Sequence, residues 1–200
     1  TVLADGFPAD MVDDEPEYPG WEVVPKGLSR APLVAPPEGV ESVLRPFTLT
    51  GLAAVEVEDP RAADVRLLVE ELDVELAQLA ACGGCDLSSV DELSQDYVQF
   101  LVARYHGHPI ACGALVVKDI DWAEIKRMYV RPVVRGKGLS RAILDNLLTM
   151  ARRRDLRTVR LETNVRSAAA VALYRSAGFE PCDPYEDHQS SEDVDALFMA

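Results

Sequence analysis

Val65, Leu68, Val69, Leu72, Leu76 and Leu79 recur at intervals of three and four, the spacing of a helix with one apolar face. Its other face carries Glu70, Glu71, Asp73 and Glu75. Asp59-Pro60 supplies an N-cap carboxylate and a residue suited to the first helical position, so the helix is expected to start there. A second run of the same period, Leu139, Ala142, Ile143, Leu147 and Ala151, ends in Arg152-Arg153-Arg154, whose charges suit the negative end of a helix dipole. A third helix over 167–177 is closed by Gly178. Between these lie segments that read as strands, over 49–57, 97–105, 110–117, 123–131 and 158–163. His106-Gly107 forms a hairpin turn between the second and third. Residues 82–94 read as a loop, Phe179 begins another strand, and 196–199 is the last. This predicts an α+β domain with a mixed, mostly antiparallel sheet flanked by helices. Simple alternation puts Glu124, Lys126, Met128 and Val130 on one face of their strand.

No such pattern exists before residue 47. Residues 1–46 hold eight of the 13 prolines and an early acidic cluster of Asp10, Asp13, Asp14, Glu15 and Glu17. That composition reads as an extended acidic arm, with Trp21 as a docking point, ahead of a domain over 47–200. No apolar run reaches the length of a membrane span and no basic-then-apolar leader opens the sequence, so a cytoplasmic protein is expected. Four cysteines in 200 residues are too few for a disulfide scaffold. Cys82-Gly-Gly-Cys85 has metal-ligand spacing but lacks the two further ligands of a zinc site, so no metal is expected.

Charge changes the picture. The net charge is −14, yet residues 123–166 contain twelve bases and four acids. The overall sign argues against a nucleic-acid partner. The basic stretch suits either solvated arginines or a local anion site. Within it a strand runs into Arg135-Gly136-Lys137-Gly138-Leu139-Ser140 and then into the long helix. The first amides of that helix have no internal partner, two glycines permit close approach, and Arg135 and Lys137 add charge, which together predict a bound phosphate or pyrophosphate. Gly138 follows Lys137 where a P-loop needs Ser or Thr, and Arg141 stands where a dinucleotide fingerprint needs its third glycine.

Two segments in register give this loop a context. Arg135-x-x-Gly138-x-Ser140 resembles the pyrophosphate loop of the GNAT superfamily of acyl-CoA-dependent N-acetyltransferases. Ala170-x-x-x-Tyr174 followed by Gly178-Phe179 is similar to its second cofactor motif. The resemblance covers 47–200 and is strongest over 124–179. Ser140 replaces the usual Gly or Ala, and Ser167 stands where many members carry Asn. The resemblance implies a sheet that splays between the 123–131 and 158–163 strands, with acetyl-CoA in the cleft. The cofactor would contact backbone at Met128, Tyr129 and Val130, the loop from Arg135 through Ser140, and Asn164, Ser167, Ala170 and Tyr174. Direct transfer to a primary amine of a small molecule or protein needs a base, an oxyanion donor and an acid for the leaving thiolate. Tyr174 matches the family's acid. Glu124, eleven residues before Arg135, matches the base of histone-acetylating relatives. Its bland alternative is a surface ion pair with Lys126 or an Arg, and that of Tyr174 is a core aromatic. A strand amide near Val130 supplies the oxyanion donor.

The remaining candidates concern the acceptor. Glu70, Glu71, Asp73 and Glu75, with Asp183, Glu186 and Asp187, would form an acidic rim that selects a cationic amine, unless they serve solubility alone. His188 lies in the same acidic loop, His106 and His108 flank a turn, and Tyr129 faces either the cleft or the core. The family often forms dimers. The alternative to an enzyme is a non-catalytic acyl-CoA-binding sensor of the same fold.

Overall fold

The computed structural model describes residues 53–79, 88–185 and 195–200. The arm over 1–46 with Trp21, the Cys82–Cys85 pair, Glu186, Asp187 and His188 lie outside the described residues. Six strands form one sheet in chain order: β1 (Ala53–Val57), β2 (Val98–Tyr105), β3 (His108–Val117), β4 (Trp122–Val130), β5 (Thr158–Asn164) and β6 (Ala196–Met199). Every neighbouring pair is antiparallel except β4 and β5, which are parallel. Helix α1 (Ala63–Leu79) and the single-turn α2 (Val90–Leu93) cover one face; α3 (Leu139–Arg153) and α4 (Ala168–Ser176) cover the other.

The helical periodicity accounts for both layers. Val65, Leu68, Val69 and Leu72 of α1 pack with Phe100, Val102, Cys112, Ala114 and Tyr129. Leu139, Ile143, Leu144 and Leu147 of α3 pack with Leu101, Leu115, Ile125 and Leu161 on the opposite side. Each fully buried Leu-sized side chain contributes about 2 kcal/mol of transfer free energy. The β2–β3 turn has φ of 46° at His106 and 82° at Gly107, the two positive values that match the twist of a tight hairpin.

Three expected elements differ. α1 begins at Ala63 rather than Pro60, because Asp59 closes a separate turn. Its carboxylate accepts from the Arg61 N–H at 2.9 Å and its carbonyl from the Ala62 N–H at 3.0 Å. The expected 82–94 loop contains α2, held by a capping box in which the Glu92 N–H donates to Ser89 Oγ at 3.2 Å and the Ser89 N–H to Glu92 Oε2 at 2.6 Å. The strand expected at Phe179 is a single bridge, Pro181 to Met199, since a proline cannot donate to a ladder.

One irregularity positions everything that follows. Cys112 pairs with Tyr129 but Ala114 pairs with Lys126, so Gly113 alone faces Arg127 and Met128. β4 therefore carries one extra residue, a β-bulge, with Arg127 at φ 57°. The bulge overturns the simple alternation. Glu124 and Lys126 lie on the α1 face, register partners of Val116 and Ala114, whereas Met128 and Val130 turn into the α3-side core. The close crossing of β3 and α3 excludes any side chain at 113. A Cβ there would stand 2.6 Å from Met128 Sδ and 2.7 Å from Ile143 Cγ2. Gly113→Ala is therefore expected to destabilise the protein by about 1–3 kcal/mol through overpacking, read as a lowered midpoint in urea unfolding.

Candidate active site

β4 and β5 pair only from Trp122–Thr158 to Ile125–Leu161. Beyond that, β4 stays with β3 as far as Val130 and β5 stays with β6 as far as Asn164. A gap thus opens inside the sheet. The Arg131 N–H donates to the Ile110 carbonyl at 3.0 Å, so antiparallel alternation turns the Val130 N–H and C=O away from β3, toward the gap. The Val130 carbonyl accepts from Arg135 Nε at 2.9 Å.

The chain leaves β4 through a 3-10 turn, Pro132–Val134, and reaches α3 through Gly136 at φ 75° and Gly138 at φ 83°. Gly138 is the N-cap and has no side chain to cap with. The first intrahelical bond runs from the Ala142 N–H to its carbonyl at 3.1 Å. The amides of Leu139, Ser140 and Arg141 therefore have no intrahelical acceptor, and the positive end of the dipole adds to them. Lys137 is exposed beside them and Leu139 is buried as an anchor. A phosphate-bearing group fits this end. The Arg135 side chain does not join it: Nη2 pairs with Glu75 at 2.6 Å and the guanidinium lies 5.8 Å from the Tyr129 ring centroid. What this end offers an anion is thus backbone amides, the dipole and Lys137.

On the α3 side of the gap, α4 presents Tyr174. The residue is 6% exposed and its ring meets Phe179 edge-on at 6.0 Å. Burial pushes its phenol well above the ordinary tyrosine range, so the hydroxyl remains protonated at neutral pH. Among the described residues no hydrogen bond involves that hydroxyl. Asn164 shapes the turn into α4: its carbonyl accepts from the Ser167 N–H at 2.9 Å and its Oδ1 from the Arg166 N–H at 2.9 Å. Ala170 packs against the core.

On the α1 side lies Glu124, 0% exposed. The Tyr185 hydroxyl donates to its Oε1 at 2.9 Å, and the ammonium groups of Lys118 and Lys126 each stand 3.5 Å from Oε2. Glu124 is thus buried rather than on the surface, but it does make an ion pair with Lys126, the partner its bland alternative names. Tyr185 is itself 4% exposed, set edge-on against Trp122 and Phe198 at 5.6 Å each, with the Arg160 guanidinium 5.3 Å from its ring. Nothing in the sequence around Tyr185 marks it, because its neighbours come from β4, β5 and β6.

Three of the twelve bases over 123–166, Arg127, Arg131 and Arg135, are engaged with α1. Arg131 forms a two-point pair with Glu71, at 2.7 and 2.9 Å, and the Tyr129 hydroxyl donates to the same carboxylate at 3.3 Å. Arg127 binds Asp73 and the Ser88 carbonyl. Glu70 pairs with Arg66 at 2.9 Å. The α1 part of the expected acidic rim is thus paired with arginines within the fold, and Tyr129 packs in the α1-side core with its hydroxyl on Glu71. Among the described residues, no cluster of His, Cys, Asp or Glu is placed to hold a metal, and no helix is long and apolar enough to cross a membrane.

The family model described as the acetyltransferase (GNAT) family matches residues 68–179. A protein of Azospirillum brasilense named IAA acetyltransferase is 35% identical over 143 residues, 71% of this chain and 92% of that protein. A Klebsiella pneumoniae structure assigned as an acyl-CoA N-acyltransferase is similar at 28% identity and TM-score 0.61, covering 74% of this chain and 94% of that one. A GNAT acetyltransferase of Elizabethkingia anophelis with acetyl-CoA bound shares the fold at 16% identity and TM-score 0.54, covering 74% and 95%.

The Arg131–Glu71 pair links α1 to the end of β4, with Arg131 at 7% and Glu71 at 30% side-chain exposure. Arg131→Leu strands a half-buried carboxylate and is expected to cost about 2–3 kcal/mol, less than a fully buried pair would. Denaturant unfolding would measure it, with Glu71→Gln in the same background recovering part of the loss.

Proposed function

This chain belongs to the GNAT acetyltransferase family and is an acetyltransferase, and we propose that it moves an acetyl group from acetyl-CoA directly to a primary amine of a small molecule or protein. One observation carries the reading. The gap between β4 and β5 opens beside the uncapped, glycine-entered start of α3, with Tyr174 on one side of the sheet and Glu124 on the other. The residues fit coenzyme A: Gly136, Lys137, Gly138, Leu139 and Ser140 offer amides and charge to a pyrophosphate. The end of β4 from Met128 through Tyr129 to Val130 runs along the gap, and the Val130 N–H turned into it offers a peptide group to an extended amide chain. Asn164, Ser167 and Ala170 shape the far wall. The bound thioester supplies the activated acetyl group.

The protein's own groups then divide the proton transfers. Glu124 accepts the proton of the incoming ammonium, relayed by water because the carboxylate is buried under Tyr185. The Val130 N–H, turned into the gap, stabilises negative charge developing on the carbonyl oxygen. Tyr174, protonated at neutral pH because it is buried, gives its proton to the leaving sulfur. The acceptor is assigned by its amine alone, since the α1 carboxylates are held by arginines. Retention of both Tyr174 and Glu124 favours an enzyme over a non-catalytic sensor.

Two substitutions test this. Gly138→Val forces a β-branched residue into a left-handed conformation at the phosphate loop. Coenzyme A affinity measured by calorimetry is expected to fall by about 10-fold or more, and unchanged affinity in the folded variant would remove the site. Tyr174→Phe keeps the ring and loses the hydroxyl. Turnover, followed by thiol release with a panel of polyamines, amino sugars and alanine-initiated peptides, is expected to fall by about 10²–10⁴-fold with cofactor affinity retained.

A further inference from the structure

We infer that Tyr185 is a positioning residue for Glu124, fixing the carboxylate through the hydrogen bond its hydroxyl donates; the inference rests on the reading of Glu124 as the base. Three features of the geometry carry it. The Tyr185 hydroxyl donates to Glu124 Oε1 at 2.9 Å, and both groups are buried. The phenol has little freedom to leave, being wedged between Trp122 and Phe198 with Arg160 over its ring. It also reaches Glu124 across 61 residues of chain, so local backbone geometry does not explain the contact.

Every element packed around the carboxylate contributes to its charge environment. Lys118 follows β3, Lys126 is on β4, and Arg160 is the register partner of Glu124 on β5. Glu162 also lies on β5, and Asp183 and Cys182 precede Tyr185. The lysines stand 3.5 Å from Oε2, outside ordinary hydrogen-bond length, whereas Tyr185 donates to Oε1 at an ordinary 2.9 Å. The lysines therefore act as diffuse charge and the phenol as the directional contact. Burial and the adjacent Glu124 charge push the Tyr185 phenol far above its ordinary value, so it is a permanent donor. A donor that favours the ionised carboxylate lowers the carboxyl's proton affinity.

The test needs no acceptor. Full-length protein is labelled with ¹³C at the glutamate carboxyls, and the Glu124 resonance is assigned as the one missing in Glu124→Gln. Tyr185→Phe, which keeps the ring and its packing, is expected to move the Glu124 titration midpoint upward by about one pH unit. In wild-type protein labelled at tyrosine Cζ, the Tyr185 resonance is expected to shift with the same midpoint as Glu124. That measurement stands even if the variant folds poorly. An unchanged Glu124 midpoint in folded Tyr185→Phe, or a Tyr185 resonance blind to Glu124, would overturn the inference. Kinetics separate it from the reading beneath it. With whichever panel amine is acetylated, Tyr185→Phe is expected to lower kcat about 10-fold, to shift the acidic limb upward with little change in KM, and to add nothing in a Glu124→Gln background. Full activity in Glu124→Gln removes the base assignment. A crippled Glu124→Gln beside a Tyr185→Phe enzyme with normal kcat and pH profile removes the positioning role alone.

Discussion

The extra residue in β4 is the constraint on which the rest of the architecture depends. A strand that alternated without interruption would put Glu124 and Tyr129 on opposite faces. The bulge opposite Gly113 adds one position, so Glu124, Lys126 and Tyr129 all reach the α1 face while Ile125, Met128 and Val130 reach the α3 core. Arg127 pays the local cost with a left-handed conformation, a penalty of about 1 kcal/mol or more for a non-glycine residue. Its bonds to Asp73 and the Ser88 carbonyl offset that cost and fasten the distorted strand to α1 and the approach to α2. The bulge also lies just past the last β4–β5 pair, at Ile125. The kink and the opening of the sheet are therefore neighbours along the chain, as expected where a bulge ends pairing and re-aims side chains.

The same strand resolves the charge asymmetry. Twelve bases between residues 123 and 166 could have formed one broad anion surface. Instead, Arg127, Arg131 and Arg135, spaced by four along the end of β4 and the following turn, meet Asp73, Glu71 and Glu75 of α1. These pairs tie α1 to the end of β4 and the turn after it, and the opposite charges offset each other. What remains for an anion at the start of α3 is mainly peptide geometry and the dipole, which are fixed by φ at two glycines rather than by mobile side chains.

Legibility in the sequence followed the range of the interaction. The periodic helices, the hairpin at His106-Gly107 and the Gly136/Gly138 entry to α3 are encoded locally, by spacing and by residues that tolerate positive φ, and the structure has them within a few residues. The capping box Ser89-x-x-Glu92 was equally local and lay in what read as a loop, because its helix is a single turn. The bulge carries no such mark: Arg127 is not a residue that announces a left-handed conformation, and Gly113, its partner, is far along the chain. For the same reason alternation misassigned Met128 and Val130. The commitment of Arg135 to Glu75 and the bond of Tyr185 to Glu124 join residues 60 and 61 positions apart, so motif spacing could not reveal them.

The two groups proposed to handle protons come from opposite faces of the sheet. Tyr174 belongs to the α3-side core, and Glu124 to the α1-side face. An intact sheet separates such groups by a layer of backbone, and no reacting atom could touch both. The gap past Ile125 is the place where the sheet ceases to be a barrier. On the proposed mechanism, a donor lying along the α3 side and an amine arriving from the α1 side would meet there without sharing an entrance. The demand for two separate environments, an isolated buried phenol and a buried carboxylate among cations and a second phenol, is thus met by splitting one sheet rather than by building two pockets.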